Sequence, residues 1–254
     1  MRIVRFNYKS KENWGILGNG SIRLLKDAPF SKINVSQISV PLRKVKLLTP
    51  SIPSKVILAG LNYREHAREL NMPLPDEPVI FLKPSTALIA HGEDIIYPSA
   101  VKQLDYEAEL ALVIKKEGRH IPENKADEYI LGYTCLNDVT ARDLQKKDVQ
   151  WTRSKSFDTF CPVGPWVETE LDPRDLRVSC YLNGKLKQDS STADFIFPVY
   201  RLVSFISRIM TLLPGDIIST GTPPGVGPMH CSDTVEVEIE GIGRLKNRVA
   251  KKAR

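Results

Sequence analysis

Three acidic residues stand at alternate positions at the start of an apolar run, LDYEAELALVI (104–114): Asp105, Glu107 and Glu109. Side chains at positions i and i+2 of a β-strand point to the same face, so this spacing places the carboxylates side by side. On an exposed strand the pattern is ordinary amphipathic alternation. On a partly buried face the like charges are costly, and a divalent cation is one way to keep them ionised. The metal hypothesis therefore needs a third oxygen ligand.

Asp138 is the candidate for that third ligand. It ends the predicted strand ILGYTCLND and stands at the entry to a segment with helical spacing, so a helix N-cap is its alternative role. An all-carboxylate set that leaves other positions to water and substrate suits Mg²⁺ or Mn²⁺, and the absence of His and Cys ligands argues against zinc. Glu107, Glu109 and Asp138 are thus candidate ligands of Mg²⁺ or Mn²⁺, with an exposed amphipathic strand and a helix N-cap as the alternative interpretations.

Two further groups could carry out acid–base or charge chemistry. His66 and Glu69 lie three residues apart in NYREHARELN (62–71), where they form either a charged surface helix or a pair that activates water. Lys155 lies among small polar residues in RSKSFDTF. It is either a surface lysine or a positive charge beside an anion site.

Polar residues after Asp138 and near the end of the chain could meet an anionic ligand. Arg142 and Gln145 follow Asp138 by four and seven residues, which places both on one helical face. The segment STGTPPGVGP (219–228) lacks the G-K-[ST] signature of a phosphate loop, so nucleotide binding is not predicted. It is either a rigid turn or a place where the Thr222 hydroxyl and backbone N–H groups receive a carboxylate.

Strands predominate among the elements that must position these residues. Alternating runs around Asn19-Gly20 and Asn183-Gly184 predict two β-hairpins. Further strands are predicted at 56–61, 78–85, 104–116, 128–138 and 233–249, and helices at 62–71, 139–153 and 200–213. The predicted class is therefore α+β and β-rich. A proline-containing connector predicts a boundary near residue 50, with a small N-terminal β domain at 1–50 and a larger domain at 51–254.

Composition excludes several classes of protein. No apolar stretch approaches membrane-spanning length and no signal peptide is visible, so we expect a cytoplasmic protein without membrane association. Four separated cysteines suggest neither a zinc knuckle nor a disulfide framework. The net charge of +6 comes from the last 14 residues, which hold six basic side chains and no acidic one. Because no basic stripe with interleaved aromatic residues accompanies this tail, nucleic-acid binding is not predicted.

Six segments, taken together and in order, resemble the fumarylacetoacetate hydrolase family. They span about residues 56 to 230 and read GLNYREHARELN, PVIFLKPSTA, LDYEAELALVI, GYTCLNDVTARDLQ, WTRSKSFDTFCPVGPWV and GDIISTGTPPGVGP. The resemblance implies a mixed β-roll catalytic domain at 51–254, a homodimer, and a metal site of Mg²⁺ or Mn²⁺. The N-terminal 50 residues resemble the small β domain of bacterial and archaeal members described as 2-hydroxyhepta-2,4-diene-1,7-dioate isomerases.

The resemblance also implies roles for particular residues. It implies Glu107, Glu109 and Asp138 as metal ligands, His66 and Glu69 as a lid dyad, Lys155 as a catalytic lysine, and Lys83, Arg142, Gln145 and Thr222 as contacts to the substrate's oxygens. Some members carry an additional acidic ligand where Asn62 stands here. That difference leaves a three-carboxylate site, as in the acylpyruvase-like branch, and makes fumarylacetoacetate itself a poorer candidate substrate.

The expected activity is on 2-oxo acids through a metal-stabilised enolate. C–C bond hydrolysis and decarboxylation, as in an acylpyruvate hydrolase or an oxaloacetate decarboxylase, are the favoured outcomes because His66 and Glu69 can activate water. Isomerisation of 2-hydroxyhepta-2,4-diene-1,7-dioate in aromatic catabolism is the alternative. A metal-binding protein that has the fold without the activity is a third possibility, because a fold does not establish a reaction.

Overall fold

β-Strands form most of the regular structure, and a computed structural model describes them over residues 1–69 and 71–251. The N-terminal strands are β1 (Arg2–Tyr8), β2 (Lys11–Gly18), β3 (Ser21–Leu25), β4 (Val35–Pro41) and β5 (Lys46–Leu47). Then follow β6 (Val56–Ala59), β7 (Ile80–Lys83), β8 (Leu88–Ile89), β9 (Asp94–Tyr97), β10 (Leu104–Tyr106), β11 (Ala108–Ile114), β12 (Ile130–Asn137), β13 (Thr140–Ala141), β14 (Cys161–Glu168), β15 (Arg177–Leu182), β16 (Lys185–Ser191), β17 (Ile217–Ser219), β18 (Gly227–Met229), β19 (Thr234–Ile239) and β20 (Gly243–Lys251).

The helices are few and short, which confirms the β-rich α+β class. They are α1 (Arg64–Glu69), α2 (Arg142–Lys147), α3 (Thr152–Lys155) and α4 (Val199–Ile209), with short 3₁₀ turns at Leu42–Lys44, Ser85–Ala87, Glu123–Tyr129 and Thr192–Asp194. Among the described residues, no helix is both long and apolar enough to cross a membrane.

Within residues 1–69 and 71–251, the strands form three sheets. The largest has the order β4-β3-β2-β1-β14-β12-β11-β17-β6-β7, with β5 beside β1 and β8 beside β14. A three-stranded sheet has the order β13-β10-β18, and a five-stranded sheet has the order β16-β15-β19-β20-β9. Every residue of β11 is buried, so this strand lies in the middle of the core rather than on an amphipathic surface.

Both predicted hairpins are confirmed. Asn19 and Gly20 connect β2 to β3 with φ of 47° and 72°, and Asn183 and Gly184 connect β15 to β16 with φ of 51° and 75°. Two consecutive residues with positive φ give the turn twist that matches antiparallel strands, and Asn-Gly is the pair that adopts it at least cost.

The N-terminal strands share the large sheet with the rest of the chain. β1 pairs with β14, where Ile3 is opposite Val167, and both side chains are fully buried in one apolar cluster that also holds Val113. A second small cluster around Phe6 and Ile22 lies within the N-terminal strands themselves. The division into domains at residue 50 stays a prediction.

The strand predicted at 104–116 is in fact two strands separated by Glu107. β10 belongs to the three-stranded sheet, whereas β11 pairs with β12 and β17 in the large sheet. At the break, the backbone N–H of Glu107 donates to Asn137 Oδ1 and that of Ala108 donates to Gln188 Oε1. Because side chains satisfy these two amides, the backbone can leave one sheet and enter another at Glu107.

The helix predicted at 139–153 is also wrong in extent. Its residues form β13, then α2, then α3 after a non-helical turn at 148–151. Arg142 and Lys155 both contact the Glu107 carboxylate. In one continuous helix they would be about 20 Å apart along the axis, since the rise is about 1.5 Å per residue. The interruption is what brings both cations to one carboxylate.

Two of the six basic residues of the C-terminal segment form ion pairs with acidic residues of the neighbouring strand. On β20, Arg244 forms ion pairs with Glu236 and Glu238 of β19, and Lys246 pairs with Glu236. Lys252 and Arg254 lie outside the described residues. The charges of Arg244 and Lys246 are therefore offset across one antiparallel strand pair.

Candidate active site and metal centre

Three buried carboxylates meet where β10 leads into β11 and where β12 ends. Oxygen atoms of Glu107, Glu109 and Asp138 lie within 4.8 Å of one another. The side chains converge because Ala108 pairs with Asn137 across β11 and β12, and the Asp138 N–H donates to the Glu107 carbonyl oxygen at 2.8 Å. All three residues are buried, so the amphipathic-strand alternative for Glu107 and Glu109 is wrong.

Two buried lysines lie against these carboxylates. Lys155 Nζ donates to Glu107 Oε2 at 2.9 Å and to Asp138 Oδ2. Lys83 Nζ is 2.7 Å from Asp138 Oδ1 and also donates to the carbonyl oxygens of Val139 and Phe160. Lys155 is therefore no surface lysine. Lys83 is buried, donates two hydrogen bonds to backbone carbonyl oxygens and forms an ion pair with Asp138, so its predicted contact with substrate has no support in this arrangement.

Arg142 connects Glu107 to Asp105. Its Nη2 donates to Glu107 Oε1 at 2.5 Å, its Nε donates to Asp105 Oδ2 at 2.8 Å, and its Nη1 donates to Gln145 Oε1 at 2.6 Å. Asp105 is buried and also accepts from the Gln103 side chain. Asp105 thus has a clear structural role that its position in the alternating pattern did not reveal: it holds the guanidinium of Arg142.

The surroundings of Glu107 and Glu109 shift their pKa values in opposite directions. Burial would raise the pKa of Glu107, but Lys155 and Arg142 together hold it well below its ordinary value. Burial, the Asp138 charge and the Glu107 charge raise the pKa of Glu109 well above its ordinary value, against the opposing hydrogen bond from Ser219. Burial would lower the pKa of Lys155, but Asp138 and Glu107 raise it, so this side chain stays an ammonium.

The carboxylates fit a hard divalent cation. Both hydrogen bonds that Glu109 accepts, from Ser219 Oγ and from the Gly221 N–H, end on Oε2, and among the described residues Oε1 accepts none. With Asp105 included, four buried carboxylates face three cationic side chains, which leaves one formal negative charge for a bound cation to offset. Buried oxygen ligands with excess negative charge are what Mg²⁺ and Mn²⁺ sites require.

Asn62 makes no contribution to this carboxylate set. Its Nδ2 donates to the carbonyl oxygens of Phe197 and Thr220, and its Oδ1 accepts from the Phe197 N–H at 2.8 Å. These three hydrogen bonds connect the chain before α1 to the backbone at residues 197 and 220, and both ends of the amide take part in them. Among the described residues, the group of acidic side chains that could hold a metal ion consists of Glu107, Glu109 and Asp138.

The helix α1 carries the predicted acid–base pair. His66 Nδ1 lies 2.8 Å from Glu69 Oε2, and Glu69 Oε1 accepts from the Gly225 N–H at 3.2 Å. At the other end of α1, the Glu65 N–H donates to Asp194 Oδ2 at 3.0 Å. Both ends of this short helix are thus attached to neighbouring segments, and the carboxylate of Glu69 orients the imidazole.

Thr222 hydrogen-bonds inside the protein. Its hydroxyl donates to the Ala108 carbonyl oxygen at 2.9 Å and accepts from Gln188 Nε2 at 2.8 Å. Because the single hydroxyl proton is engaged with Ala108, a contact with a substrate carboxylate has to come from the backbone N–H instead.

One cavity of about 320 Å³ brings most of the predicted residues together. Its polar lining includes His66, Glu107, Asp138, Arg142, Gln145, Lys155 and Thr222, and its apolar lining includes Leu61, Met72, Phe81 and Trp151. Glu69 supports His66, and Glu109 completes the carboxylate group. Sequence reasoning did not identify three contacts of the site: Asp105 with Arg142, Ser219 with Glu109, and Gln188 with Ala108. No local sequence pattern pointed to Gln188.

Comparison with known protein families matches this architecture. A family model described as fumarylacetoacetate (FAA) hydrolase C-terminal matches residues 55–250, and one described as Rv2993c-like, N-terminal, matches residues 1–50. The chain belongs to the fumarylacetoacetate hydrolase family.

Individual relatives support the same membership. Oxaloacetate tautomerase FAHD2B, mitochondrial, of Bos taurus is 41% identical over 245 residues, which cover 91% of this chain and 77% of the bovine protein. The crystal structure of 5-carboxymethyl-2-hydroxymuconate delta-isomerase from Mycobacterium smegmatis has a TM-score of 0.94 and 44% identity, covering 99% of this chain and 100% of that chain.

A more distant structure holds ligands. Maleylpyruvate hydrolase from Sphingobium sp. SYK-6, solved in complex with manganese (II) ion and pyruvate, has a TM-score of 0.83 and 27% identity, covering 100% of both chains. These similarities confirm the predicted fumarylacetoacetate hydrolase fold. The relatives are enzymes of different reaction classes. The three buried carboxylates of this chain, Glu107, Glu109 and Asp138, are called the acidic trio below, and they fit the divalent metals used in the family.

Proposed function

We propose that this protein is a Mg²⁺- or Mn²⁺-dependent enzyme that moves a proton on the carbon beside the 2-oxo group of a small 2-oxo acid. The favoured reaction is keto–enol tautomerisation of oxaloacetate or a close analogue. The observation that carries the proposal is a single cavity lined by carboxylates of the acidic trio on one side and by the carboxylate-oriented His66 on another.

The metal would be held by Glu107, Glu109 and Asp138. When bound, a divalent cation supplies Lewis-acid polarisation of the substrate's carboxylate and 2-oxo oxygens. The same cation explains how Glu109 can be ionised in a site where burial and neighbouring carboxylates raise its pKa.

His66 is the proposed proton carrier. Its Nδ1 is engaged with Glu69, which leaves Nε2 free to carry the proton. In the keto-to-enol direction Nε2 takes a proton from the carbon beside the 2-oxo group and gives one to the oxygen; in the reverse direction it takes the enol hydroxyl proton and gives one to the carbon. Lys155 has a raised pKa and two carboxylate partners, so its role is that of a fixed positive charge rather than of a base. Arg142 and Gln145 line the cavity and are proposed to fix the substrate's remaining oxygens.

Tautomerisation takes precedence over the hydrolysis and decarboxylation first expected from the sequence. The bovine oxaloacetate tautomerase and the mycobacterial isomerase are 41% and 44% identical to this chain, whereas a fumarylacetoacetate hydrolase from Exiguobacterium antarcticum is 36% identical and the maleylpyruvate hydrolase is 27% identical. C–C bond hydrolysis is the second candidate, because an imidazole oriented by Glu69 can also deprotonate water. Isomerisation of a hydroxydienedioate would use the same proton transfer over a longer conjugated system.

The test is to follow the ultraviolet absorbance of enol-oxaloacetate with Mn²⁺ or Mg²⁺ while pyruvate and CO₂ are assayed in parallel. Loss of enol absorbance without pyruvate supports tautomerisation, and pyruvate release from acylpyruvates supports hydrolysis. We expect His66→Asn to reduce the rate about 100-fold or more. The matched control is His230→Asn, because His230 is an exposed histidine. Wild-type rates in His66→Asn would refute the role of His66, and no metal-dependent reaction with any of these substrates would refute the function.

We also propose that the protein works as a homodimer, as the family resemblance implies. Large apolar side chains such as Ile38, Ile52 and Leu82 are 58%, 62% and 46% exposed in the single chain, which is consistent with a further contact surface. Sedimentation equilibrium should give about twice the chain mass of 28.6 kDa. A mass of one chain at micromolar concentration would refute the dimer.

A further inference from the structure

Gln188 is a buried polar residue that lies outside every motif associated with the site. It lies on β16, and its side chain is 1% exposed. Gln188 Oε1 accepts from the Ala108 N–H at 3.0 Å, and Nε2 donates to Thr222 Oγ1 and to the Pro223 carbonyl oxygen, both at 2.8 Å. A buried amide with both of its ends hydrogen-bonded imposes a fixed geometry on its partners, because breaking any of these bonds strands a polar group.

One end of this amide supports the metal ligands. Ala108 stands between Glu107 and Glu109, at the point where the chain passes from β10 to β11. There the Ala108 N–H is satisfied by Gln188, and the Ala108 carbonyl oxygen accepts from Thr222. The direction in which the two glutamates leave the backbone therefore depends on contacts made to Ala108.

The other end supports the loop that contacts α1. Thr222 and Pro223 begin the segment that leads to Gly225, whose N–H donates to Glu69 and whose carbonyl oxygen accepts from Tyr106 Oη at 3.0 Å. Gly225 has a φ of +93°, and a Cβ there would lie 2.4 Å from the Lys187 carbonyl oxygen, so the loop lies directly against β16. Glu69 in turn holds His66.

We infer that Gln188 is a positioning residue that sets the metal-ligand strand and the loop holding the His66–Glu69 pair in register with each other. Its amide spans the two halves of the site: one bond to the backbone between Glu107 and Glu109, and two bonds to the loop at 222–223. This inference rests on the proposed function for its kinetic consequences, and on the acidic trio alone for its effect on metal binding.

The variant Gln188→Met tests the inference, since methionine has a similar length and no hydrogen-bonding amide. We expect the dissociation constant of the protein for Mn²⁺ alone, measured without substrate by electron paramagnetic resonance, to rise about 10- to 100-fold. We expect kcat to fall by a similar factor while KM changes less than about threefold, because the loss lies in the placement of His66 and the metal ligands. The control is Lys185→Met, an exposed position on the same strand.

Each outcome of these measurements decides the inference. A Gln188→Met protein that is folded at the assay temperature, binds Mn²⁺ within threefold of wild type and keeps its kcat would show that Gln188 only fills the core. If Gln188→Met does not fold, Gln188→Asn gives the same test, because its amide is one methylene too short for the Ala108 N–H; wild-type Mn²⁺ affinity in that variant would overturn the inference. If wild type turns over no 2-oxo acid, the proposed function fails, and the Mn²⁺ measurement still decides the role of Gln188.

Discussion

Lys155 shows how single residues set the charge balance of the site. Its buried ammonium contacts two of the proposed metal ligands, Glu107 and Asp138, and these two carboxylates raise the pKa of Lys155 against the effect of burial. A lysine in this position stabilises the metal-free protein and at the same time competes with a divalent cation for the same carboxylates.

We expect Lys155→Met to separate these two effects. Without metal, unfolding free energy should fall by about 3–5 kcal/mol, because two buried carboxylates lose their partner. Mn²⁺ should bind more tightly than in wild type, and turnover should fall about 100-fold because the fixed positive charge is gone. Urea denaturation, Mn²⁺ titration and enol-oxaloacetate kinetics check the three effects.

The matched control for this substitution is Lys116→Met. Lys116 forms an exposed ion pair with Glu128 at 3.3 Å, so its loss should change stability by less than about 1 kcal/mol. Weaker Mn²⁺ binding in Lys155→Met would contradict the proposed competition.

Glu109 predicts the pH dependence of the metal-free protein. Its raised pKa means that the folded state holds this proton more tightly than the unfolded chain, where the ordinary value is 4.5. The contribution to stability is therefore fully present below pH 4.5 and is lost as pH rises through the raised pKa. Since metal binding needs the ionised form, stabilisation by Mn²⁺ should grow over the same range.

Thermal unfolding with EDTA or with Mn²⁺, from about pH 5 to pH 8, measures both trends. Glu109→Gln is the comparison variant, because a neutral amide removes this titration. If the metal-free stability of wild type and Glu109→Gln has the same pH dependence in this range, the raised pKa is refuted.

At the scale of elements, connections between segments matter more than regular helix or strand. The site is built on interruptions: Glu107 lies between two strands, and Lys155 ends a helix that is separate from α2. Asn62 also lies in a connection, between β6 and α1, and its amide hydrogen-bonds to the backbone at Phe197 and Thr220.

Asn62→Asp tests whether this amide is a structural connector or a vacant ligand position. A carboxylate there loses two donors and faces two carbonyl oxygens, so stability should fall by about 3 kcal/mol without any gain in Mn²⁺ affinity. Asn124→Asp, at an exposed position, should be near neutral. Tighter Mn²⁺ binding by Asn62→Asp would instead place residue 62 among the ligands.

At the scale of the whole molecule, the N-terminal strands and the rest of the chain share one sheet. Ile3 is fully buried in the cluster that contains Val113, a residue of the strand that carries Glu109. Sequence composition separates the two regions near residue 50, whereas the packing of β1 on β14 connects them.

Removing residues 1–50 should therefore lower the stability of residues 51–254 relative to the full chain. The loss should exceed about 2 kcal/mol, the value of burying one isoleucine side chain, because β14 also becomes an exposed edge strand. Urea denaturation of the two proteins measures the difference. Equal midpoints and slopes would show that the 51–254 region is an independent domain.

The sequence by itself determined much of the local structure and predicted the chemistry of the candidate site. Carboxylates at alternate positions indicated an oxygen-ligand metal site, the two Asn-Gly pairs indicated hairpins, and the shortage of long helical segments indicated a β-rich class. These features depend on residue type and short-range spacing, which a single chain displays directly.

Only the tertiary structure decided which charges meet and where the chain turns between sheets. The break at Glu107, the pairing of Asp105 with Arg142, the burial of Lys83 under Asp138 and the bridge made by Gln188 all join residues 30 or more positions apart. Such contacts depend on the packing of several strands at once, and local periodicity is the same whether a glutamate faces water or a buried lysine.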